Sequence, residues 1–324
     1  METSALALAA ALTGLAPVPQ AVPPVPKTAA VQDVPQTPAS QVLVASPSGA
    51  IITQGEFSAV LSRSSLVAVG EKHDSPAHHS VQAEVLAQLA ELTPKLVVGF
   101  EMVSYEDQAK LDDFASDKTS EGEFAAWWKK NWGFDYSLYK PVFDEARKRH
   151  LPMYGLNAPI SLVTAVAKKG LSGLSAAERA RLPEKIEESS DARYREFVLE
   201  SVSSHGAAAQ ILLSRLGIDA EIAAADPAAI ERRIQAMAVW NETMGEQAAR
   251  RAAGKTLFLV AGQGHVLYKA GVPESAARRG VKNPLVLLPY PFDDEPMSVP
   301  DMLARLRDPA SGELEQADIF RLVP

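Results

Sequence analysis

The sequence predicts an α/β fold: a mainly parallel central sheet flanked by helices, with a helical insertion between the third and fourth core strands. Three observations predict it. Short apolar runs such as LVAVG (Leu66–Gly70) and LFLVAG (Leu257–Gly262) alternate with segments of helical periodicity, the pattern of βα units. Four of these runs lead into polar residues flanked by glycine. Between Ile160 and Gly254 no strand-like run interrupts a stretch rich in Ala, Glu and Arg.

The elements follow in order. VLVASPSGAIIT (Val42–Thr53) reads as a hairpin turning at Pro-Ser-Gly, and GEFSAVLSRS as a short helix. SLVAVG (Ser65–Gly70) is a buried strand. Ser75 is a good N-cap with Pro76 at the first helical position. The helix behind it sets Val81, Val85, Leu86, Leu89 and Leu92 on one face. KLVVGFEM (Lys95–Met102) is the second core strand. EDQAKLDDFA, the aromatic EFAAWWKKNW and LYKPVFDEARKRH (Leu138–His150) are helices. LPMYGLNAP (Leu151–Pro159) is the third core strand, KTLFLVAGQGH (Lys255–His265) the fourth and NPLVLLPYPF (Asn283–Phe292) the fifth.

Residues 1–41 stand apart from this folded part, which spans 42–324 with its helical insertion at about 160–254. ALALAAALTGLAP (Ala5–Pro17) has the length and apolarity of a signal-peptide core, although no Lys or Arg precedes it. Either the true start lies upstream or the run is an Ala-rich tail; the expectation is an exported protein, periplasmic or at the cell envelope. Val18–Gln41, rich in Pro, Ala and Val, reads as a disordered linker. No other segment is long enough to span a bilayer. The 324 residues carry a net charge of −8 and no basic block, which argues against a nucleic-acid partner. With no cysteine there is no disulfide, thiolate metal site, cysteine nucleophile or lipid-attachment cysteine.

Ligands of open parallel sheets bind beyond the C-terminal strand ends. The first core strand runs into Glu71 and His73, the second into Glu101, the third into Asn157 and the fourth into His265. Glu71 and His73 are two apart, so an extended chain projects them to one side. Gly70, Gly99, Gly155, Gly262 and Gly264 permit close backbone approach there. Two readings of the cluster stay open. Glu71, His73, Glu101 and His265 could ligate a divalent metal through N and O donors. Without metal, Glu71 or Glu101 could orient a histidine acting as a base on water, with Asn157 donating to a developing oxyanion.

Each residue also has a plainer reading. A lone Glu101 caps the next helix, and a lone His265 after Gly-Gln-Gly is a loop residue. Of His78 and His79, in the first turn of a helix, one is expected to face solvent. His150 at a helix end suits the dipole. Trp127, Trp128 and Trp132 read as core or interface.

The motifs VGEKHDSPAHHSVQAEVLAQL, GFEM, WGFDYSLYKPVFDEARKRHLPMYGLNAP, AMAVWNETMGEQ and VAGQGHVLYKAGVP, in this order over Ser65–Leu288, resemble the ChaN-like family of bacterial haem-binding proteins. That family belongs to a wider group with Tiki-type metalloproteases and erythromycin-esterase-like hydrolases. The resemblance implies an α/β fold with a helical lid, haem or iron handling at the bacterial envelope, and a homodimer holding paired haems. Glu-x-His and Gly-x-Gly-His are shared with the hydrolytic relatives and mark the superfamily site. A haem site needs an axial ligand, an apolar slot and cations for the propionates. Tyr194, His205, Met237 and Met244 in the insertion are candidate ligands; family members often carry Cys beside the histidine, where this chain has Gly206. Arg232, Arg233, Lys168 and Lys169 could meet propionates, although a solvated helix face is the plainer reading of each.

Three functional expectations result. The first is an exported haem-binding protein for haem or iron uptake or handling. The second is a hydrolase, with or without a divalent metal, in which Glu71, His73, Glu101 and His265 activate water. The third is an envelope protein whose polar site is vestigial.

Overall fold

The computed structural model describes residues 42–203, 227–291, 297–308 and 311–323. The expectations for residues 1–41 and for His205 lie outside these. Among the described residues, eight strands form one sheet in the order β2-β1-β8-β7-β3-β6-β4-β5. They are β1 (Leu43–Ala45), β2 (Ala50–Ile52), β3 (Leu66–Glu71), β4 (Leu96–Ser104), β5 (Met153–Asn157), β6 (Thr256–Gly262), β7 (Pro284–Tyr290) and β8 (Ile319–Leu322).

The sheet is mixed, which corrects the expectation of a mainly parallel one. The N-terminal hairpin pairs antiparallel within itself and antiparallel to β8. Parallel ladders join β8 to β7, β7 to β3, β3 to β6, β6 to β4 and β4 to β5. Within the hairpin the tight turn leaves no room for a crossover, so β1 and β2 pair antiparallel.

Strand alternation builds two cores. On β3, Leu66 and Ala68 point to one face and Val67 and Val69 to the other; on β6, Leu257, Leu259 and Ala261 oppose Phe258 and Val260. One face is covered by α1 (Gln54–Leu61), α2 (Pro76–Leu92), α3 (Gln108–Ala115), α4 (Glu121–Trp132) and α5 (Tyr136–Lys148), whose buried residues pack into the Phe100, Trp128 and Phe143 core. The other face is covered by α6 (Ile160–Lys169), α8 (Ala192–Ser203), α9 (Pro227–Arg251), α10 (Val272–Arg278) and α11 (Val299–Leu306). The short α7 (Ala176–Arg179) lies between α6 and α8.

Helix α2 starts as expected: Ser75 is the N-cap, its side chain accepting from His78 N–H, and Pro76 follows. Its inner face buries Val81, Val85, Leu86 and Leu89, while Leu92, in the final helical position, is 37% exposed. Both His78 and His79 are buried, so the expectation that one faces solvent fails. The first turn of α2 is tucked under the strand ends, where backbone groups and Glu71 need partners. Arg233 is likewise buried rather than on a solvated face, its guanidinium donating to the Val202 carbonyl.

Among the described residues, no helix is long and apolar enough to cross a membrane.

Candidate functional site

The parallel ladders bring the C-terminal ends of β3, β6 and β4 side by side, and with them two carboxylate–imidazole pairs. Glu71 ends β3, and His73 Nδ1 lies 2.8 Å from its Oε1. Glu101 lies in β4, and His265 Nε2, from the 3-10 turn after β6, is 3.3 Å from its Oε1. Both carboxylates are buried.

Gly262 brings the pairs together. A Cβ there would sit 2.6 Å from His73 Cε1 and 3.4 Å from Glu101 Oε2. Only a residue without a side chain lets the His73 ring and the Glu101 carboxylate close against the same Cα. All four of Glu71, His73, Glu101 and His265 therefore occupy one locus at the strand ends.

Glu71 accepts from both sides. Tyr139 OH donates to Oε1 at 2.6 Å, and Gln82 Nε2 donates to Oε2 at 2.7 Å. His79 Nδ1 is 3.2 Å from Oε2, and His79 Nε2 is 3.2 Å from the His73 carbonyl. Both nitrogens of His79 face oxygens, so the ring is held as a double donor. Burial alone opposes its charge, but Glu71 outweighs that and raises the imidazole. Glu71 behaves in mirror image: burial would raise it, and the His79 and His73 rings hold it well below the usual carboxylate range. Tyr139 in turn accepts from Trp132 Nε1 at 3.0 Å, and burial beside Glu71 raises its phenol well above the ordinary value. His78 is the opposite case. The Lys72 N–H donates to its Nδ1 at 3.0 Å and its Nε2 meets the Pro291 carbonyl at 3.0 Å, which fixes a neutral tautomer that burial favours.

Glu101 has fewer partners. Gly262 N–H donates to Oε2 at 2.6 Å. Burial would raise this carboxyl, but His265, with help from His73 and the Gly262 N–H, lowers it to about 2. His265 continues outward: its Nδ1 is 2.7 Å from Asn241 Oδ1, Asn241 Nδ2 donates to Tyr194 OH at 2.8 Å, and Tyr194 OH donates to the Gly264 carbonyl at 2.8 Å. The chain ends at a cavity of about 200 Å³ between α8 and α9, lined by Tyr194, Val198, Leu199, Ile234, Met237 and Asn241 among others.

The remaining expected residues fall elsewhere. Asn157 anchors backbone: Nδ2 donates to the Glu101 carbonyl at 3.0 Å and Oδ1 accepts from Ala158 N–H at 2.8 Å, across the register shift between β4 and β5. Tyr194 and Met237 line the cavity, whereas Met244 is fully buried in the core. Lys169 pairs with Glu178.

As for a metal, no group of three or more His, Asp or Glu side chains among the described residues is disposed to hold one. The physical reason lies in Glu71: four donors fill its lone-pair directions, which leaves nothing to offer a cation. The donor set therefore does not favour the metal-dependent hydrolase.

Sequence reading missed Tyr139, Gln82 and Asn241. The available signal was a polar residue inside an apolar stripe, as Gln82 is between Val81 and Val85, and Asn241 between Trp240 and Met244.

Comparison with known proteins fits this geometry. No curated protein matches the chain. Among solved structures, one showing cofacial heme binding to ChaN of Campylobacter jejuni superposes with a TM-score of 0.58 at 14% identity, over 86% of this chain and 95% of that chain. A mutant of the erythromycin esterase EreC in its open conformation gives 0.42 at 12% identity, over 85% of this chain and 81% of that one. The first likeness is one of fold. The family described as "Haem-binding uptake, Tiki superfamily, ChaN" matches residues 57–275, which is most of the chain. The protein belongs to the ChaN family of haem-binding uptake proteins within the Tiki superfamily.

Proposed function

We propose that the protein binds haem on the face formed by α8 and α9, as a step in haem or iron uptake or handling at the bacterial envelope. One observation carries this reading beyond family membership. The α8–α9 cavity joins an apolar wall of Val198, Leu199, Ile234, Met237 and Ala238 to two side chains with iron-ligating atoms, Tyr194 and Met237, and to Arg195 at the rim. Ligand and slot are two requirements of a haem site; Arg195 supplies the third, a cation for a propionate, against Glu187, Glu188, Glu242 and Glu274, which also line the cavity.

Its size decides how haem sits. A cavity of about 200 Å³ lies below the roughly 300–1,000 Å³ of enclosing ligand pockets, so haem lies across its mouth. Leu199, 46% exposed beside the cavity, supplies apolar surface for the porphyrin. A haem held on an open face leaves its other face for a second copy of the chain, which supports a homodimer with paired haems. The ChaN structure of Campylobacter jejuni, named for cofacial heme binding, supports the same arrangement.

The two ligand candidates differ. Met237 lines the cavity, and its thioether has no proton to lose. Tyr194 must release the Gly264 carbonyl and lose a proton that burial makes hard to remove. Helices α6 to α9 then act as the lid over the strand-end pairs, and haem on α8–α9 stands one hydrogen-bonded chain away from Glu101.

Titrating the purified chain with hemin and following the visible spectrum tests this. A saturating Soret shift at a simple ratio is expected, displaced by Met237→Leu or Tyr194→Phe and strongly weakened by Leu199→Glu. No saturable shift, or one unchanged by all three variants, sinks the reading.

A further inference from the structure

The opposite, N-terminal ends of the core strands carry a second, unlike site. Strands β7, β3, β6 and β4 are consecutive neighbours. Lys282 lies two residues before β7, and Ser65, Lys255 and Lys95 immediately precede β3, β6 and β4. The sheet order thus sets these residues in a row, and at about 4.8 Å per strand the three lysines span roughly 14 Å.

The row is fixed by backbone hydrogen bonds. Ser65 N–H donates to Lys282 O, Leu257 N–H to Ser65 O and Thr256 N–H to Lys95 O, at 3.3, 3.0 and 2.9 Å. Beneath it opens a pocket of about 570 Å³ lined by Ser65, Thr93, Lys95, Lys255, Arg279 and Lys282, with Pro94, Thr256, Val281, alanines and glycines for the rest. Among the described residues, no acidic one lines it. Arg279 is bound to Glu242 and to Ser275, so its charge is partly spent. Among the described residues, none of the three lysines has an ion-pair partner. On a chain of net charge −8, three unpaired cations facing one acid-free pocket form a strong local departure from the average.

We infer that this pocket is a binding site for a phosphate group. The arrangement suits that chemistry. Lysine ammonium groups are compact point charges on flexible stems, and three of them approaching from separate strands can each take a different oxygen of a tetrahedral anion. The Ser65 and Thr93 hydroxyls add neutral donors. The volume lies within the range of small-molecule sites, with room for what the phosphate is attached to. The site lies at the N-terminal ends of the strands, away from the Glu/His pairs; its only described tie to the α8–α9 cavity is the Arg279–Glu242 pair, and the three lysines that carry the inference do not line that cavity. Because the lysines are exposed, its affinity falls as salt rises.

The phosphate could be free or the headgroup of an anionic lipid, and two arms separate these sources. In the first, the full chain is titrated with inorganic phosphate by calorimetry at low ionic strength. In the second, it is sedimented with phosphatidylcholine vesicles with and without phosphatidylglycerol. The triple variant Lys95→Gln, Lys255→Gln, Lys282→Gln is compared with Lys118→Gln, a lysine elsewhere on the surface. The expectation is saturable binding in at least one arm, weakened ten-fold or more by the triple variant and unaltered by Lys118→Gln. Phosphate binding alone assigns a soluble ligand, and binding only to phosphatidylglycerol vesicles assigns a headgroup. The inference is overturned by no binding in either arm, or by equal weakening in the triple variant and Lys118→Gln. All the substituted lysines are exposed, and matched circular dichroism spectra verify that folding is unchanged.

Discussion

Glu71 and Glu101 are both buried, both held acidic, and both in the C-terminal halves of strands that flank β6, yet they belong to different faces of the sheet. The partners of Glu71 come from α2 and α5: His79, Gln82 and Tyr139 join His73 around it. Those of Glu101 lead through His265 to Asn241 on α9 and Tyr194 on α8. Glu71 is a saturated acceptor that ties one helical layer to the sheet. Glu101 is the inner end of a chain that reaches the haem face. The ladders set Phe100 and Val69 level with Val260, so Glu101 lies one register step before Glu71 and faces the other side of the sheet; that single step gives one carboxylate a fastening role and the other a communicating role.

The largest expected effect breaks the fastening. Glu71→Ala strands the raised His79 imidazole in the interior without its counter-charge, and should cost about 3–5 kcal/mol in equilibrium urea unfolding. Glu101→Ala removes two acceptor contacts and should cost about 1–3 kcal/mol. Equal losses erase the distinction between the two carboxylates.

The dependence on pH sharpens it. Both carboxyls are depressed by folding, so each contributes stability that is present above its unfolded value of about 4.3 and lost as pH falls through its folded value. For Glu101 that loss is complete below about 2, and for Glu71 it extends lower. His79 is raised, so its contribution is full below about 6.5 and fades as pH rises through its folded value. The stability gap between the wild type and Glu71→Gln should therefore narrow at both ends of a pH series, whereas the gap for Glu101→Gln should narrow on the acid side. An alkaline narrowing equal in both variants would contradict the pairing of His79 with Glu71.

The smallest effect probes communication. Tyr194→Phe deletes the hydroxyl that links Asn241 to the Gly264 carbonyl, at about 0.5–1.5 kcal/mol. Its signature is a changed His265 ring signal by NMR with the His79 ring unmoved. A shift at both rings would show that the two faces are not separate.

Much of this architecture is legible in the sequence, for identifiable reasons. Buried parallel strands advertise themselves as apolar runs, so β3 to β7 and the residues at their ends could be placed. Strand order could not, because a crossover helix fixes handedness and leaves the neighbour open: nothing in LFLVAG says that β6 enters between β3 and β4. Strand β8 escaped because IFRL is only four residues long and its buried arginine, paired with Glu84, breaks the apolar run. The four strand-end residues were found because the chain itself points at them. Tyr139, Gln82, His79 and Asn241 reach the site from helix faces, where side-chain direction depends on packing.

The position of β6 also bears on how the molecule is made. Strands β3 and β4 lie far ahead of β6 in the chain, and neither pairs with the other. A nascent chain that has just completed β5 therefore holds two strands with open edges, both exposed to unwanted pairing. Neither Gly262 nor His265 has yet emerged, so Glu101 still lacks its partners. Insertion of β6 closes the facing edges of β3 and β4, leaving the other edge of β3 to β7, and brings in those partners in a single late step, which ties the acquisition of the polar site to a highly non-local event of folding.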